Sequence, residues 1–445
     1  MSGRYRDIAV IGAGAAGLAA GWTLAAGGCR VTLYDRRAVP GGRLRTDALD
    51  GVRADVVVQL LGSYYRETFR LAREVGASEL LVRAPGRDAL WRDRRAHPLT
   101  YGSPASMAAS SALPGGLKFR LATRYLPFLR RHGDLLDANE PVRAERFDDE
   151  SIAAWGRREL GEDFVELLVY PQLAAYYGGV PEETSAGFYH ALAHAGISVA
   201  LYAVRGGMGA LAAAVLRGIE ARGGRFTGGV EVRAVRPSAD GVAIEWDEGS
   251  VRHDAAVLAL PAAAAAAVMG AGADERLHDW LAGVRSNPAA SLALLLEGPS
   301  PPGDFFGLSF PRRAPPGDRL AAICIEAQKM PPAEPGELRQ TLVVLPAPAV
   351  APELATAEPR ELLDFLLPAV DQALPGVRPR TARAQAVRIA EGAVQFYPGY
   401  LRHLRRFTED WVPPRLALAG DYRVAPTVEG AVRSGRRAAE RLMRA

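Results

Sequence analysis

Three glycines and one aspartate near the amino terminus have the types and spacing for phosphate chemistry. Gly12, Gly14 and Gly17 follow an apolar run, Ile8 to Ile11, and Asp35 closes a second one, Val31 to Tyr34. Gly12 would supply a tight turn, Gly14 would let backbone approach a pyrophosphate, and Gly17 would let a helix pack on the strand. A helix opening at Ala15 and Ala16 offers unpaired N–H groups and a positive dipole end to the phosphates. Asp35, about 20 residues further on, stands where a ribose hydroxyl needs an acceptor. A glycine triplet alone is weak evidence. With the strand before it, the helix after it and the acid in place, the pattern predicts a dinucleotide site.

The strand–helix–strand unit from Asp7 to Thr46 must position these groups. Its opening also invites another reading, because a short basic stretch, Met1 to Arg6, precedes the nearly uncharged Ile8 to Ala26. Closely spaced glycines are poor helix material, and a strand ending in Asp35 does not fit the far side of a cleavage site. Export and a transmembrane span are therefore rejected.

At 445 residues the chain is too long for one ordinary core, so two domains are expected. Nearly half the residues are hydrophobic (49%), which predicts a globular chain. The net charge of +4 is small for this length, carried almost wholly by arginine, since Lys118 and Lys329 are the only lysines. Such a balance gives no argument for nucleic acid. Cys29 and Cys324 are the only cysteines, which excludes a disulfide framework and a cysteine-rich metal site and suits a reducing cytoplasm.

After Asp35 come Arg36 and Arg37, then Gly41-Gly42-Arg43 and Thr46. The arginines could meet a 2′-phosphate, as in NADP, or sit beside adenine or in solvent. The Gly-Gly-Arg favours FAD, because its glycines allow close passage beside an extended flavin and Arg43 can reach phosphate. Here the chain resembles the flavin amine oxidase superfamily. The acid in that family is usually glutamate, and a glycine usually follows the next acid, where this chain has Asp55-Val56-Val57.

Between Gly76 and about Arg205 the pattern reads as helical. Gly116 to Arg131 is basic and amphipathic, with Pro127 as a kink, and suits either core packing or a membrane surface. The stretches Asp149 to Gly161 and Tyr177 to Ser185, with Tyr397 to His403, resemble protoporphyrinogen oxidases and carotene desaturases. His190 and His194 lie one helical turn apart, but Ala191 stands where a zinc-protease glutamate would, so core or cavity-lining histidines are expected. Gly206-Gly207-Met208-Gly209 opens a helix without a preceding strand and is not counted as a second nucleotide site.

Strands are expected at Gly224 to Val235, Val242 to Trp246 and Ala255 to Leu260, and a helix from Ala262. A second strand-rich region, Pro288 to Ala390, holds Ser291 to Leu296, Phe305 to Phe310, Leu320 to Ile325 and Thr341 to Leu345. Proline-rich turns separate these at 299–302, 311–316 and 331–335, and a helix follows over Pro359 to Leu374. Near the carboxyl end, Gly420-Asp421 ends a strand and Thr427-Val428 begins a helix.

The resemblance implies an α/β fold, a Rossmann-like FAD-binding domain with an inserted α+β substrate-binding domain. It implies FAD-domain segments at 1–75, 205–285 and 396–445, with 76–204 and 286–395 forming the substrate domain. It further implies Val232 against the adenine, Asp421 on the ribityl-phosphate region, and Thr427 and Val428 at the flavin's pyrimidine edge. Without a second dinucleotide motif, electrons would enter from an organic substrate and leave to oxygen, a quinone or another acceptor. No cysteine lies in the C-terminal flavin motif, so dissociable FAD is expected. The implied substrate is a large, mostly apolar small molecule: a porphyrinogen first, a carotenoid or squalene-type lipid next, an amine last. No catalytic acid or base stands out. A redox-idle flavoprotein and an NADP reductase remain as other readings, as does peripheral membrane contact, and the oligomeric state is open.

Overall fold

In the computed structural model, residues 5–85, 87–270, 274–299, 301, 303–329 and 339–444 are described. The expected turn at 331–335 lies outside them, as do two positions of the turn at 299–302.

A five-stranded parallel sheet carries the glycine motif. Its order is Arg225–Gly228, Arg30–Asp35, Asp7–Ile11, Ala255–Leu258 and Leu416–Leu418. Three of these strands are short apolar runs because both faces of the sheet are covered, one by helices and the other by an antiparallel unit, leaving no side for polar residues. The first strand is central, so its carboxyl end lies at the switch point of the sheet, where ligands of open α/β sheets bind. Helix Ala15–Ala26 and helix Val428–Arg444 pack on one another over one face. Their approach is close enough that a Cβ on Gly435 would sit 2.0 Å from the Ala16 carbonyl oxygen. Glu429, fully buried, reaches out of the C-terminal helix to accept the N–H groups of Glu67 and Thr68 at 2.9 Å, anchoring helix Arg66–Glu74.

A three-stranded antiparallel unit, Ala234–Ser238, Gly241–Trp246 and Gly249–His253, connects the parallel strands Arg225–Gly228 and Ala255–Leu258 along the chain. Gly249–His253 is an additional strand. It lies between the expected strands Val242 to Trp246 and Ala255 to Leu260, and the expected strand Gly224 to Val235 is two, Arg225–Gly228 and Ala234–Ser238.

The seven-stranded sheet runs Thr381–Val394, Ser286–Glu297, Arg339–Pro346, Leu320–Ile325, Gly307–Ser309, Asp88–Arg92 and Arg95–Pro98. It corrects the sequence reading at two points. The stretch from Gly76 to Arg205 is not helical throughout, since Asp88–Arg92 and Arg95–Pro98 form a hairpin that completes this sheet. Strand Thr381–Val394, unexpected from sequence, pairs along the length of Ser286–Glu297. Its alanines and alternating charges give little strand propensity of their own, and the long partner supplies the pairing that propensity does not.

Among the helices that cap the cavity, two contain a wide turn. The Leu126 N–H donates to the Leu121 carbonyl and the Tyr170 N–H to the Val165 carbonyl, five residues back in each case. Pro127 and Pro171 immediately follow. A proline removes a helical N–H and clashes with the carbonyl four residues earlier, and widening the turn relieves both. Among the described residues no helix is long and apolar enough to cross a membrane.

Candidate active site

The glycine turn is built by close approach. Gly12 has φ +97°, and a Cβ there would lie 2.5 Å from the Ala259 carbonyl oxygen. A Cβ on Gly17 would lie 1.8 Å from the Gly12 carbonyl oxygen, so the helix can enter only without one. Gly14 is different: nothing lies within 4 Å of its Cβ position. That open side faces a cavity of about 1160 Å³. Helix Ala15–Ala26 starts at Gly14 with no side-chain cap and no acid in its first turn. Its orphan N–H groups and dipole are left for an anion.

The cavity gathers the separate stretches of chain. Gly12, Gly14, Ala15, Ala16, Asp35, Arg36, Gly42, Arg43, Val232, Gly420, Asp421, Thr427 and Val428 all line it. Gly17 does not; its role is to let the helix pack on the turn.

Asp35 ends the second parallel strand and is bonded within the protein. Its Oδ2 accepts from the Ala13 N–H at 2.7 Å and its Oδ1 from the Arg37 N–H at 2.8 Å. Each carboxylate oxygen keeps a second acceptor site, so a sugar hydroxyl can still donate to it. Arg37 turns back to donate to the Gly42 carbonyl at 3.1 Å, while Arg36 is exposed at the rim. Gly41 pairs with Gly14 as an isolated bridge, which lays the Gly-Gly-Arg loop against the phosphate turn.

Arg43 spans the floor. It contacts the Asp421 carboxylate at 2.8 Å and donates to the Gly392 carbonyl at 3.0 Å. Asp421 raises the guanidinium pKa more than burial lowers it, so the cation is held firmly. Thr427 caps the C-terminal helix by accepting from the Gly430 N–H at 2.9 Å, and the start of that helix faces the cavity.

Beyond this end the cavity opens into an apolar chamber. Leu121, Tyr125, Leu168, Tyr176, Tyr189 and Ile197 are among its walls. Both wide helical turns contribute, through Leu121 and Leu168.

A family model for flavin containing amine oxidoreductases matches residues 15–443. The chain belongs to that family. The cavity fits the FAD of that family, with an open glycine turn and an uncapped helix end along its wall. It is 29% identical over 187 residues to a coproporphyrinogen III oxidase of Propionibacterium freudenreichii subsp. freudenreichii, covering 40% of this chain and 33% of that protein. It is 28% identical over 266 residues to a hydroxyneurosporene desaturase of Cereibacter sphaeroides, covering 54% and 53%. The flavoprotein thus spans about a third to a half of the length of these relatives. A solved structure from Exiguobacterium sp. 255-15 shares the fold, with a TM-score of 0.76, 19% identity and 98% coverage of each chain.

Several residues singled out by sequence lie elsewhere in the flavoprotein. Lys329 is buried and does not line the cavity; its Nζ is 2.5 Å from Asp55 and 2.9 Å from Glu326. Burial would lower its pKa, but Glu326 and Asp55 outweigh that and raise it, so it stays an ammonium. Asp55 also accepts from Thr46 Oγ1 at 2.6 Å and from the Met208 N–H at 2.8 Å. The second glycine-rich helix start, at Met208, is therefore already occupied by the chain's own carboxylate and is no phosphate site. The absent glycine at Val57 leaves a valine in the cavity wall.

His190 is fully buried among Tyr125, Phe128 and Trp155, where burial pushes its pKa down to about 3, and His194 Nδ1 meets the Leu136 carbonyl at 2.8 Å. Neither lines the cavity, and no cluster among the described residues could hold a metal.

Three stretches that carried the resemblance meet at buried Asp148, away from the cavity. It accepts from Ser185 Oγ at 2.5 Å and from the Leu401 N–H at 2.8 Å. Residues that sequence reasoning missed are Tyr64, Tyr65, Asp88 and Glu391, all in the lining. A glycine inside the strand that carries Glu391, Gly392, is the one local signal of close backbone approach.

Proposed function

We propose that this flavoprotein dehydrogenates a large, mostly apolar organic substrate, with a porphyrinogen as the leading class. The observation that carries the reading is one continuous cavity of about 1160 Å³. This exceeds the roughly 300–1,000 Å³ of an ordinary single-ligand site. It has a polar, phosphate-type end and an apolar, tyrosine-rich end. Bound FAD would supply a hydride acceptor. The protein's part is to hold it through Gly14, Ala15, Ala16, Asp35, Arg43, Val232, Gly420, Asp421, Thr427 and Val428, and to surround the substrate with apolar wall. Oriented N–H groups at Val428 would stabilise negative charge on reduced flavin.

The relatives named for coproporphyrinogen and hydroxyneurosporene support an apolar substrate. Amine oxidation ranks below, because Lys329 is committed to Asp55 and Glu326 and Lys118 is the only lysine in the lining. Peripheral membrane contact belongs to the same reading. Phe119 is 68% exposed on the same segment as the exposed Arg124, Arg130 and Arg131, and Leu121, Tyr125 and Leu129 of that segment line the chamber. Both cysteines are free, which suits a reducing compartment.

The test is anaerobic bleaching of the bound flavin by candidate reductants. A porphyrinogen should bleach it within turnover time, and a carotene or squalene-type lipid more slowly. Bleaching by a simple amine alone would overturn the reading, and persistence of the yellow form with all of them would mark a redox-idle flavin.

A further inference from the structure

Among the described residues, Asp88 is the one carboxyl beside the chamber tyrosines Tyr101 and Tyr176. It begins strand Asp88–Arg92, is 8% exposed and lines the cavity. Its neighbour on the adjoining parallel strand is Gly307, where a Cβ would lie 2.9 Å from Asp88 Oδ1. The sheet thus makes room for the carboxyl by omitting a side chain. Among the described residues no side chain or backbone N–H donates to that carboxyl and no cation pairs with it.

The carboxyl opens only on the cavity, so an apolar ligand filling that space would strip its hydration without replacing it by a hydrogen bond. The carboxylates of Asp35, Asp55, Asp148, Asp421 and Glu429, by contrast, are all bonded within the chain. The titratable groups around Asp88 are Tyr101, Tyr176 and Cys324, from three different elements, and burial raises the pKa of each and keeps it neutral. Tyr101 is turned toward Ser309, with its hydroxyl 2.9 Å from Ser309 Oγ. Desolvation by this apolar setting pushes the Asp88 carboxyl up to about 7.

We propose that Asp88 is a recognition point for a substrate N–H group, the pyrrole N–H of a tetrapyrrole, and sets substrate choice against an unsubstituted polyene. The inference rests on the chamber being the substrate site, as the proposed function has it. A hydrocarbon polyene has no donor to satisfy a buried carboxyl, so binding one there would bury Asp88 against carbon. A porphyrinogen carries four N–H groups at the centre of an otherwise apolar ring. The same acceptor chemistry could serve an amine, and the experiment separates these two sources.

FAD-loaded wild type, Asp88→Asn and Asp88→Leu are titrated with coproporphyrin, followed by porphyrin fluorescence. They are also titrated with lycopene in detergent and with cyclohexylamine, followed by flavin absorbance. Retained flavin shows that each variant is folded. The expected result is coproporphyrin affinity at least about tenfold weaker in Asp88→Leu, within about threefold of wild type in Asp88→Asn, which keeps an acceptor carbonyl. Lycopene binding should be unchanged or tighter in Asp88→Leu. Wild-type affinity for coproporphyrin should rise as pH passes through about 7, where the carboxylate forms, and this trend should vanish in Asp88→Asn.

Unchanged coproporphyrin affinity in a yellow Asp88→Leu protein overturns the inference and leaves the functional reading standing. Dependence on Asp88 with the amine alone overturns the tetrapyrrole assignment. A wild type that does not bind coproporphyrin at all removes both.

Discussion

Arg43 and Asp421 meet at 2.8 Å across the floor of the cavity, joining a loop near one end of the chain to a turn near the other. The Asp421 side chain is 8% exposed and that of Arg43 34%. Truncating Arg43 to alanine leaves a nearly buried carboxylate facing the place where phosphate belongs. The expected outcome is a pale protein whose FAD dissociation constant rises by about tenfold or more. Asp421→Asn should retain more flavin than Arg43→Ala. Flavin absorbance after gel filtration measures both, and equal retention in Arg43→Ala and wild type would contradict the site assignment.

Two glycines of one motif should fail in different ways. Gly14→Val meets nothing of the protein within 4 Å at its Cβ, so the fold should survive while the cavity side is filled. Gly17→Ala places a methyl 1.8 Å from a backbone oxygen and should destabilise the protein outright. Thermal melting of the flavin-free forms, beside flavin content, separates the two. A yellow Gly14→Val protein would refute the phosphate assignment.

Lys329 is a structural cation. Replacing it with methionine leaves Asp55 and Glu326 buried together without their partner, which should cost about 3–5 kcal/mol of stability. Urea unfolding gives the loss directly. Anaerobic flavin bleaching by substrate should keep its rate in whatever fraction stays folded; a large fall in that rate at unchanged stability would make the lysine part of the chemistry.

Asp88 should leave a mark on stability against pH. Its folded pKa of about 7 is raised above the unfolded value, so the protonated form favours the fold. Its contribution is fully present below about pH 4, declines as pH rises, and is gone above about 7. Asp88→Asn removes this decline. The melting temperature of the variant relative to wild type should therefore climb by a few degrees between pH 4 and pH 8. A constant difference across that range would contradict the buried, unpaired carboxyl.

Phe119 offers a test of membrane contact. Phe119→Asp adds a like-charged barrier to an exposed apolar tip without touching the core. Co-sedimentation with anionic vesicles should fall severalfold, with flavin content unchanged. Equal sedimentation of the two proteins would remove the membrane from the functional reading.

The strand, glycine turn and helix from Asp7 to Ala26 were legible because their signals lie next to one another in sequence: an apolar run, closely spaced glycines and an apolar helix. The chamber was not, because its walls come from helices, hairpin and strand far apart in sequence. Asp88 lay in a stretch that reads as helical, and only the sheet places it opposite Gly307. Strand Thr381–Val394 was invisible for a related reason, since Ala384, Ala386 and Ala390 are poor strand formers and its order comes from Ser286–Glu297. Lys329 is one of only two lysines in the sequence, but its partners Asp55 and Glu326 come from the fold and could not be read there.

The parallel sheet takes its outermost strand, Leu416–Leu418, and one covering helix from a stretch that leaves the ribosome long after the phosphate turn. Until then the nascent polypeptide holds the glycine motif but neither Asp421 nor Thr427. The proposed site therefore implies that flavin loading waits for the far end of the sheet to be made, and that a ribosome stalled shortly before Leu416 would display a colourless intermediate with its cleft still open on one side.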